Sequence, residues 1–214
     1  MQRIAVVDYG MGNLRSVSKA IERVAPEDEV VVSSDAAFIA SADRIVCPGQ
    51  GAARDCMSAL ESSGLGTTVR ETFETRPFLG ICMGLQVLLE HSDENGGVPC
   101  LGVIPGRVVR FSDPLHDAAG KRLKVPHMGW SRVRHSRAHP LWRNIDDGGR
   151  FYFAHSYFCE PDDASLVCGV CDYGRELTVA IAFPGFFACQ FHPEKSASDG
   201  LMLLKNFVAW DGTC

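Results

Sequence analysis

The sequence predicts an α/β fold: a single domain with a mainly parallel central sheet flanked by helices, and with antiparallel strands added in the C-terminal half. Three observations carry this expectation. Over roughly the first 90 residues, short apolar runs of strand character alternate with stretches whose apolar positions recur at helical spacing. Beyond a polar break, Ser92-Asp93-Glu94-Asn95-Gly96-Gly97, the pattern changes to shorter strands split by turn signals. No internal repeat, linker or low-complexity tract interrupts the 214 residues, a length that suits one domain and buries roughly 70–75% of the unfolded surface.

Residues 3–7 form the first predicted strand. Residues 14–25 form a helix with Leu14, Val17, Ile21 and Val24 along one face and Asn13 as its N-cap. The turn between them, Asp8-Tyr9-Gly10-Met11-Gly12-Asn13, lacks the third glycine of a dinucleotide fingerprint where the helix opens. In an open parallel sheet it falls at the carboxyl edge, as a tight turn or as part of a binding or docking surface. Strands follow at residues 30–33 and 44–47, the latter running into Pro48-Gly49-Gln50-Gly51-Ala52 and a helix at 53–62 closed by Gly64. Two glycines around one residue let backbone N–H groups face a ligand, so this loop is an ordinary connection or a source of oxyanion donors. A helix at 67–75 completes the alternating part. The later strands are expected at 107–111, 130–133, 151–157, 165–171, 177–183 and 186–191, with hairpin turns at Asp172-Tyr173-Gly174 and Pro184-Gly185, before a last helix at 200–209.

Composition narrows the partners. A net charge of −5 and a pI near 5.8 offer no global attraction to nucleic acid or an anionic membrane. The apolar run at the start is too short for a signal peptide and no stretch approaches a bilayer span, so a cytoplasmic location is expected. There the nine cysteines stay reduced. Cys168-Gly169-Val170-Cys171 has a CxxC form but sits among apolar residues without a second pair at zinc spacing, so neither a metal nor a cofactor is expected.

The stretch with most chemical content is Pro77-Phe78-Leu79-Gly80-Ile81-Cys82-Met83-Gly84-Leu85-Gln86. A buried strand ends at a cysteine, and apolar positions continue at helical spacing toward His91. A side chain at such a turn is pushed out at the carboxyl edge of the sheet, and Gly80 and Gly84 relieve the crowding around it. A following helix aims free N–H groups at the sulfur and favours the thiolate. Cys82 is thus a nucleophile or a buried structural cysteine. A nucleophile needs a base and a group that orients the base. Phe186 to Phe191 reads as a strand ending in His192-Pro193-Glu194, where Pro193 stops the ladder and His192 and Glu194, two apart in extended chain, share a side. His155, in Ala154-His155-Ser156-Tyr157, is the other histidine at a strand end.

Gly80-Ile81-Cys82-Met83-Gly84 with Gln86, followed by Phe191-His192-Pro193-Glu194, resembles the paired signature of triad-type class I glutamine amidotransferases. The Asp8 to Asn13 turn with Arg15 and Ser16, the Pro48 to Gly51 loop, Pro126-His127-Met128-Gly129-Trp130 and Tyr152-Phe153-Ala154-His155-Ser156-Tyr157 narrow the likeness to glutaminase subunits of imidazole glycerol phosphate synthases. The likeness runs from the first strand through the last helix. It implies a flavodoxin-like glutamine amidotransferase domain over residues 1–214, with Cys82 as nucleophile, His192 as proton carrier and Glu194 as its orienting carboxylate. It also implies oxyanion donors from Met83 and from Gln50 or Gly51, and a glutamine subsite of Gly49, Gly51, Gln86, His155, Ser156 and Tyr157. The implied partner is a (β/α)₈ cyclase subunit in a heterodimer, docking at Asn13, Trp130 and Lys195. One departure stands out: the family often carries a small aliphatic residue where Gln50 stands, which bears on how the loop is set at rest. The competing expectations are a glutaminase subunit of pyridoxal phosphate or anthranilate synthesis, and a stand-alone cysteine hydrolase.

Overall fold

In the computed structural model, which describes residues 1–214, the chain builds a 13-stranded sheet and a separate two-stranded ribbon. The parallel half is β1 (Arg3–Val7), β2 (Glu29–Ser33), β3 (Arg44–Gly49) and β4 (Phe78–Cys82), joined by the much later β15 (Phe186–Cys189), in the spatial order β2-β1-β3-β4-β15. This is the order of a flavodoxin-like doubly wound sheet, whose ligand crevice lies beyond the carboxyl ends of the strands near the reversal between β1 and β3. β3 and β4 are buried at every position, as expected of strands covered on both faces. Successive residues of β1 serve opposite cores: Ile4 and Val6 pack with α1 (Leu14–Val24) and α6 (Ala197–Ala209), whereas Ala5 and Val7 pack with α2 (Ala36–Ser41), α3 (Ala53–Ser62) and α4 (Leu65–Thr72).

The sheet continues through β14 (Glu176–Phe183), β12 (Tyr157–Pro161) and β7 (Gly106–Arg110), each antiparallel to the one before, to the short β5 (His91–Ser92), which runs parallel to β7, and β6 (Val98–Pro99). From β14 a branch of β13 (Val167–Asp172), β10 (His127–His135) and β11 (Gly149–His155) folds over the site. β8 (Leu115–His116) and β9 (Arg122–Leu123) form the ribbon. Both predicted hairpin turns are present, between β13 and β14 and between β14 and β15. No helix is long and apolar enough to cross a membrane.

Three expectations need correction, and one helix was missed. The helix after Cys82 does not reach His91; it is the single turn α5 (Met83–Gln86). Leu85, Val87, Leu88 and Leu89 are all buried, so there is no solvent face, and the carbonyls of Val87, Leu88 and Leu89 accept N–H groups of residues 101–104 instead of continuing a helix. The predicted strand at 151–157 divides at Ser156 because its halves serve different partners, β11 pairing with β10 and β12 with β7. Asn13 precedes α1 without a side-chain cap; only its carbonyl accepts, from Val17 N–H. Helix α2, which was not predicted, is announced by Asp35, whose carboxylate accepts the Ala37 N–H at 2.9 Å.

Candidate active site

Cys82 ends β4 with φ 56° and ψ −109°, a left-handed conformation that a side-chain-bearing residue adopts only when its surroundings impose it. The glycines around it show what imposes the turn. A Cβ on Gly84 would lie 1.8 Å from the Cys47 carbonyl oxygen, and one on Gly80 would lie 2.7 Å from the Gly84 oxygen and 2.9 Å from Ala188 Cβ. A Cβ on Gly49, opposite Cys82 in the β3/β4 register, would meet Tyr9 Oη at 2.3 Å and Met83 Cβ at 2.6 Å. Three strand ends are therefore held together at backbone contact distance, with the sulfur at their tip.

β15 runs parallel to β4 on its other side and carries the partners of the sulfur. His192, three residues past the end of β15, is 2% exposed and within hydrogen-bonding reach of Cys82. Its Nδ1 pairs with Glu194 Oε1 at 3.0 Å, leaving Nε2 for the sulfur. The expected extended His192-Pro193-Glu194 is instead a 3₁₀ turn at Pro193–Lys195, where proline supplies the helical φ and folds the carboxylate back to the ring. The backbone there is pinned twice: His192 N–H donates to Tyr152 O at 2.9 Å, and Ser196 Oγ donates to His192 O at 2.6 Å. Burial pushes the His192 imidazole down, but hydrogen bonds to Cys82 and Glu194, together with their charges, outweigh it and raise the ring to about 10. Both partners favour the protonated ring.

A cavity of about 340 Å³ opens in front of the sulfur and is lined by Gln50, Gly51, Cys82, Met83, Gln86, His155, Ser156, Tyr157 and His192 among others. Of the expected subsite residues only Gly49 does not line it; Gly49 lies beneath, packed on Tyr9 and Met83. The N–H groups of Gln50 and Gly51 have no hydrogen-bond partner in the protein, while the Gln50 carbonyl accepts from the Cys56 thiol at 3.5 Å. His155 shapes the cavity without offering it a polar atom, since its Nδ1 is taken by Tyr157 O and its Nε2 by His127. The expected docking residues lie outside. Trp130, 44% exposed, and Lys195 both face the Tyr152 ring, at 6.1 Å between centroids and 5.8 Å from Nζ, and Asn13 sits at the start of α1.

Two polar residues of the site were missed from sequence. Gln190, fully buried, donates Nε2–H to Cys82 Sγ at 3.6 Å and accepts from Gln86 Nε2 at 2.8 Å. An amide inside the apolar run Phe186-Phe187-Ala188-Cys189-Gln190-Phe191 was its signal. Glu94, read as part of a polar break, lines the cavity and accepts the Ala53 N–H at the start of α3 at 2.6 Å. No cluster of histidine, cysteine or acidic residues has the arrangement of a metal site, and all nine cysteines are free thiols.

The glutamine amidotransferase class-I family model matches residues 5–210. The chain is 59% identical over 210 residues to the imidazole glycerol phosphate synthase subunit HisH of Dechloromonas aromatica, covering 98% of this chain and 97% of that one. It is 55% identical over 212 residues to HisH 1 of Pseudomonas aeruginosa, covering 99% of each. Among solved structures, a glutamine amidotransferase superposes with a TM-score of 0.69 at 18% identity over 96% of this chain and 97% of that one, and PurLQS from Thermotoga maritima with 0.64 at 18% over 98% and 99%. Those two likenesses bear on the fold alone. With the identities over nearly its whole length, the chain belongs to the class-I glutamine amidotransferases and, within them, to the HisH subunits of imidazole glycerol phosphate synthase.

Proposed function

We propose that this chain hydrolyses glutamine to glutamate and ammonia through a thioester on Cys82 and passes the ammonia to a cyclase subunit, in the cytoplasm. That subunit carries the lyase chemistry that yields imidazole glycerol phosphate and aminoimidazole carboxamide ribotide in histidine biosynthesis. The single observation behind this reading is the meeting of Cys82, His192 and Glu194 at one sheet edge, with His192 Nδ1 to Glu194 Oε1 at 3.0 Å and the ring interacting with Cys82.

The steps follow from the geometry. The thiolate, neutralised by the His192 imidazolium and held by Gln190 Nε2–H, attacks the side-chain amide carbon of glutamine. The oxyanion that forms is met by N–H groups of Met83 and of Gln50 or Gly51, and the loop groups have no partner elsewhere. Losing one such donor typically costs about 3–4 kcal/mol in the transition state. His192 Nε2 gives its proton to the departing ammonia, then accepts one from the water that cleaves the thioester and releases glutamate. Glu194 holds the ring through its bond to Nδ1. In the cavity lining, the Glu94 carboxylate and the Gln86 carbonyl oxygen are acceptors for the substrate's ammonium, together with Ser156 and Tyr157.

Ammonia leaves toward a (β/α)₈ partner seated on the carboxyl edge, against Asn13, Trp130 and Lys195. The glycine-flanked Gln50 peptide is the element whose rotation would couple docking to catalysis. A large rise in ammonia release from glutamine on adding the cyclase subunit and its nucleotide ligand is the expected result. Equal rates with and without them would refute that coupling.

A further inference from the structure

One backbone carbonyl sets the direction of a chain of hydrogen bonds beside the cavity. Tyr157 O can only accept, and it takes the Nδ1–H of His155 at 2.8 Å and an Nε2–H of Gln86 at 3.1 Å. A neutral His155 with its proton on Nδ1 has a bare Nε2, which must accept from His127 Nδ1–H at 2.9 Å. That leaves His127 Nε2 bare in turn, and it accepts from the Ser131 hydroxyl at 2.8 Å. Burial holds both rings neutral: His127 is pushed down to about 3 by burial and then by His155, and His155 to about 4 by burial against the Tyr157 hydrogen bond. The His127 ring is also fixed in plane, stacked between Phe153 at 4.7 Å and Tyr173 at 3.8 Å.

We infer that His127, backed by Ser131, is a positioning residue for the glutamine subsite although it does not line the cavity. By donating to the bare Nε2 of His155 it holds that ring against the Tyr157 carbonyl, and that carbonyl orients the Gln86 amide. Both N–H bonds of Gln86 are consumed, by Tyr157 O and Gln190 Oε1, so only its carbonyl oxygen is left for the substrate's ammonium. The relay rests on the glutaminase reading and assigns to one end of the substrate a residue that never touches it.

Three chains test it in complex with the cyclase subunit: native, His127→Phe, which keeps the stack and deletes the donor, and His127→Asn, which restores an N–H toward His155. His127→Phe is expected to raise KM for glutamine about tenfold with kcat within about twofold, and His127→Asn to recover most of it. Alkylation of Cys82 by iodoacetamide, which does not read the amino-acid end, should keep its native rate in all three. Loss of kcat and alkylation along with KM would mean that His127 only supports the fold, and would overturn the relay. If His127→Phe does not fold, Ser131→Ala carries the same KM comparison. Nitrogen-15 spectra of the native chain give an independent reading: both His127 and His155 should be Nδ1–H tautomers, and an Nε2–H tautomer at either ends the proposal. A native complex with no glutamine turnover would overturn the functional reading and the relay with it. Normal native turnover with an unchanged KM for His127→Phe would overturn the relay alone.

Discussion

Replacing Gly84 by alanine tests whether the turn at Cys82 is set by close backbone approach. The added Cβ would sit 1.8 Å from the Cys47 carbonyl oxygen and 2.9 Å from its carbon. Both partners are backbone, so no side chain can swing aside. Ordinary van der Waals separation then requires β3 and the start of α5 to part by roughly 1.5 Å. That shift moves Met83, which bears the expected oxyanion N–H, and Cys82 with it. A displacement near 1 Å at reacting atoms can cost on the order of 10²-fold in rate, and overpacking of this kind costs about 1–3 kcal/mol in stability. The assay compares glutamine-dependent and ammonia-dependent synthesis by the complex, alongside urea unfolding of the subunit. Glutamine-dependent turnover should fall about a hundredfold, ammonia-dependent turnover should persist, and the unfolding midpoint should drop. Native turnover and midpoint in Gly84→Ala would refute the claim that packing against Cys47 shapes the turn.

Further outcomes follow from the partners of the sulfur. Glu194→Gln removes the charge that supports the imidazolium and permits the wrong tautomer, so kcat for glutamine should fall by about 10²–10³; steady-state ammonia release checks this, and a change below threefold would contradict it. Gln190→Leu leaves Gln86 Nε2 with an unpaired buried N–H and strips a donor from Cys82, which should lower kcat/KM about 10- to 100-fold; an unchanged value would remove Gln190 from the site. The raised imidazole of His192 carries a definite sign. Its contribution to stability is complete below the unfolded value near 6.5 and is lost as pH rises through about 10. The stability difference between the native chain and His192→Gln should therefore shrink across that window in pH-dependent unfolding, and a difference that grows would show the ring to be held neutral.

Much of the fold was legible because its strands announce themselves. β1, β3 and β4 are continuous apolar runs covered on both faces, and turn residues mark the hairpins at both ends of β14. The grouping of Cys82, His192 and Glu194 was legible for a local reason: a cysteine between two glycines at a strand end, and a histidine two residues before a glutamate at another. What stayed hidden depends on tertiary contact. Leu85, Val87, Leu88 and Leu89 look helical by spacing, yet carbonyls claimed by residues 101–104 stop α5 after one turn. Gln190 and His127 act through hydrogen bonds to residues far along the chain, which no local pattern encodes. His155 lines the cavity as expected, but both its ring nitrogens are taken, by Tyr157 O and by His127, through contacts the sequence does not display.

The acyl group transferred from glutamine is expected on the Cys82 sulfur. The complex is quenched in acid during turnover of glutamine, digested, and its peptides weighed. A γ-glutamyl adduct should appear on the peptide bearing Cys82 and on none of the peptides bearing the other cysteines, and it should vanish in Cys82→Ala, which should still support synthesis from free ammonia. An adduct at a different cysteine, or glutamine hydrolysis that survives Cys82→Ala, would contradict it.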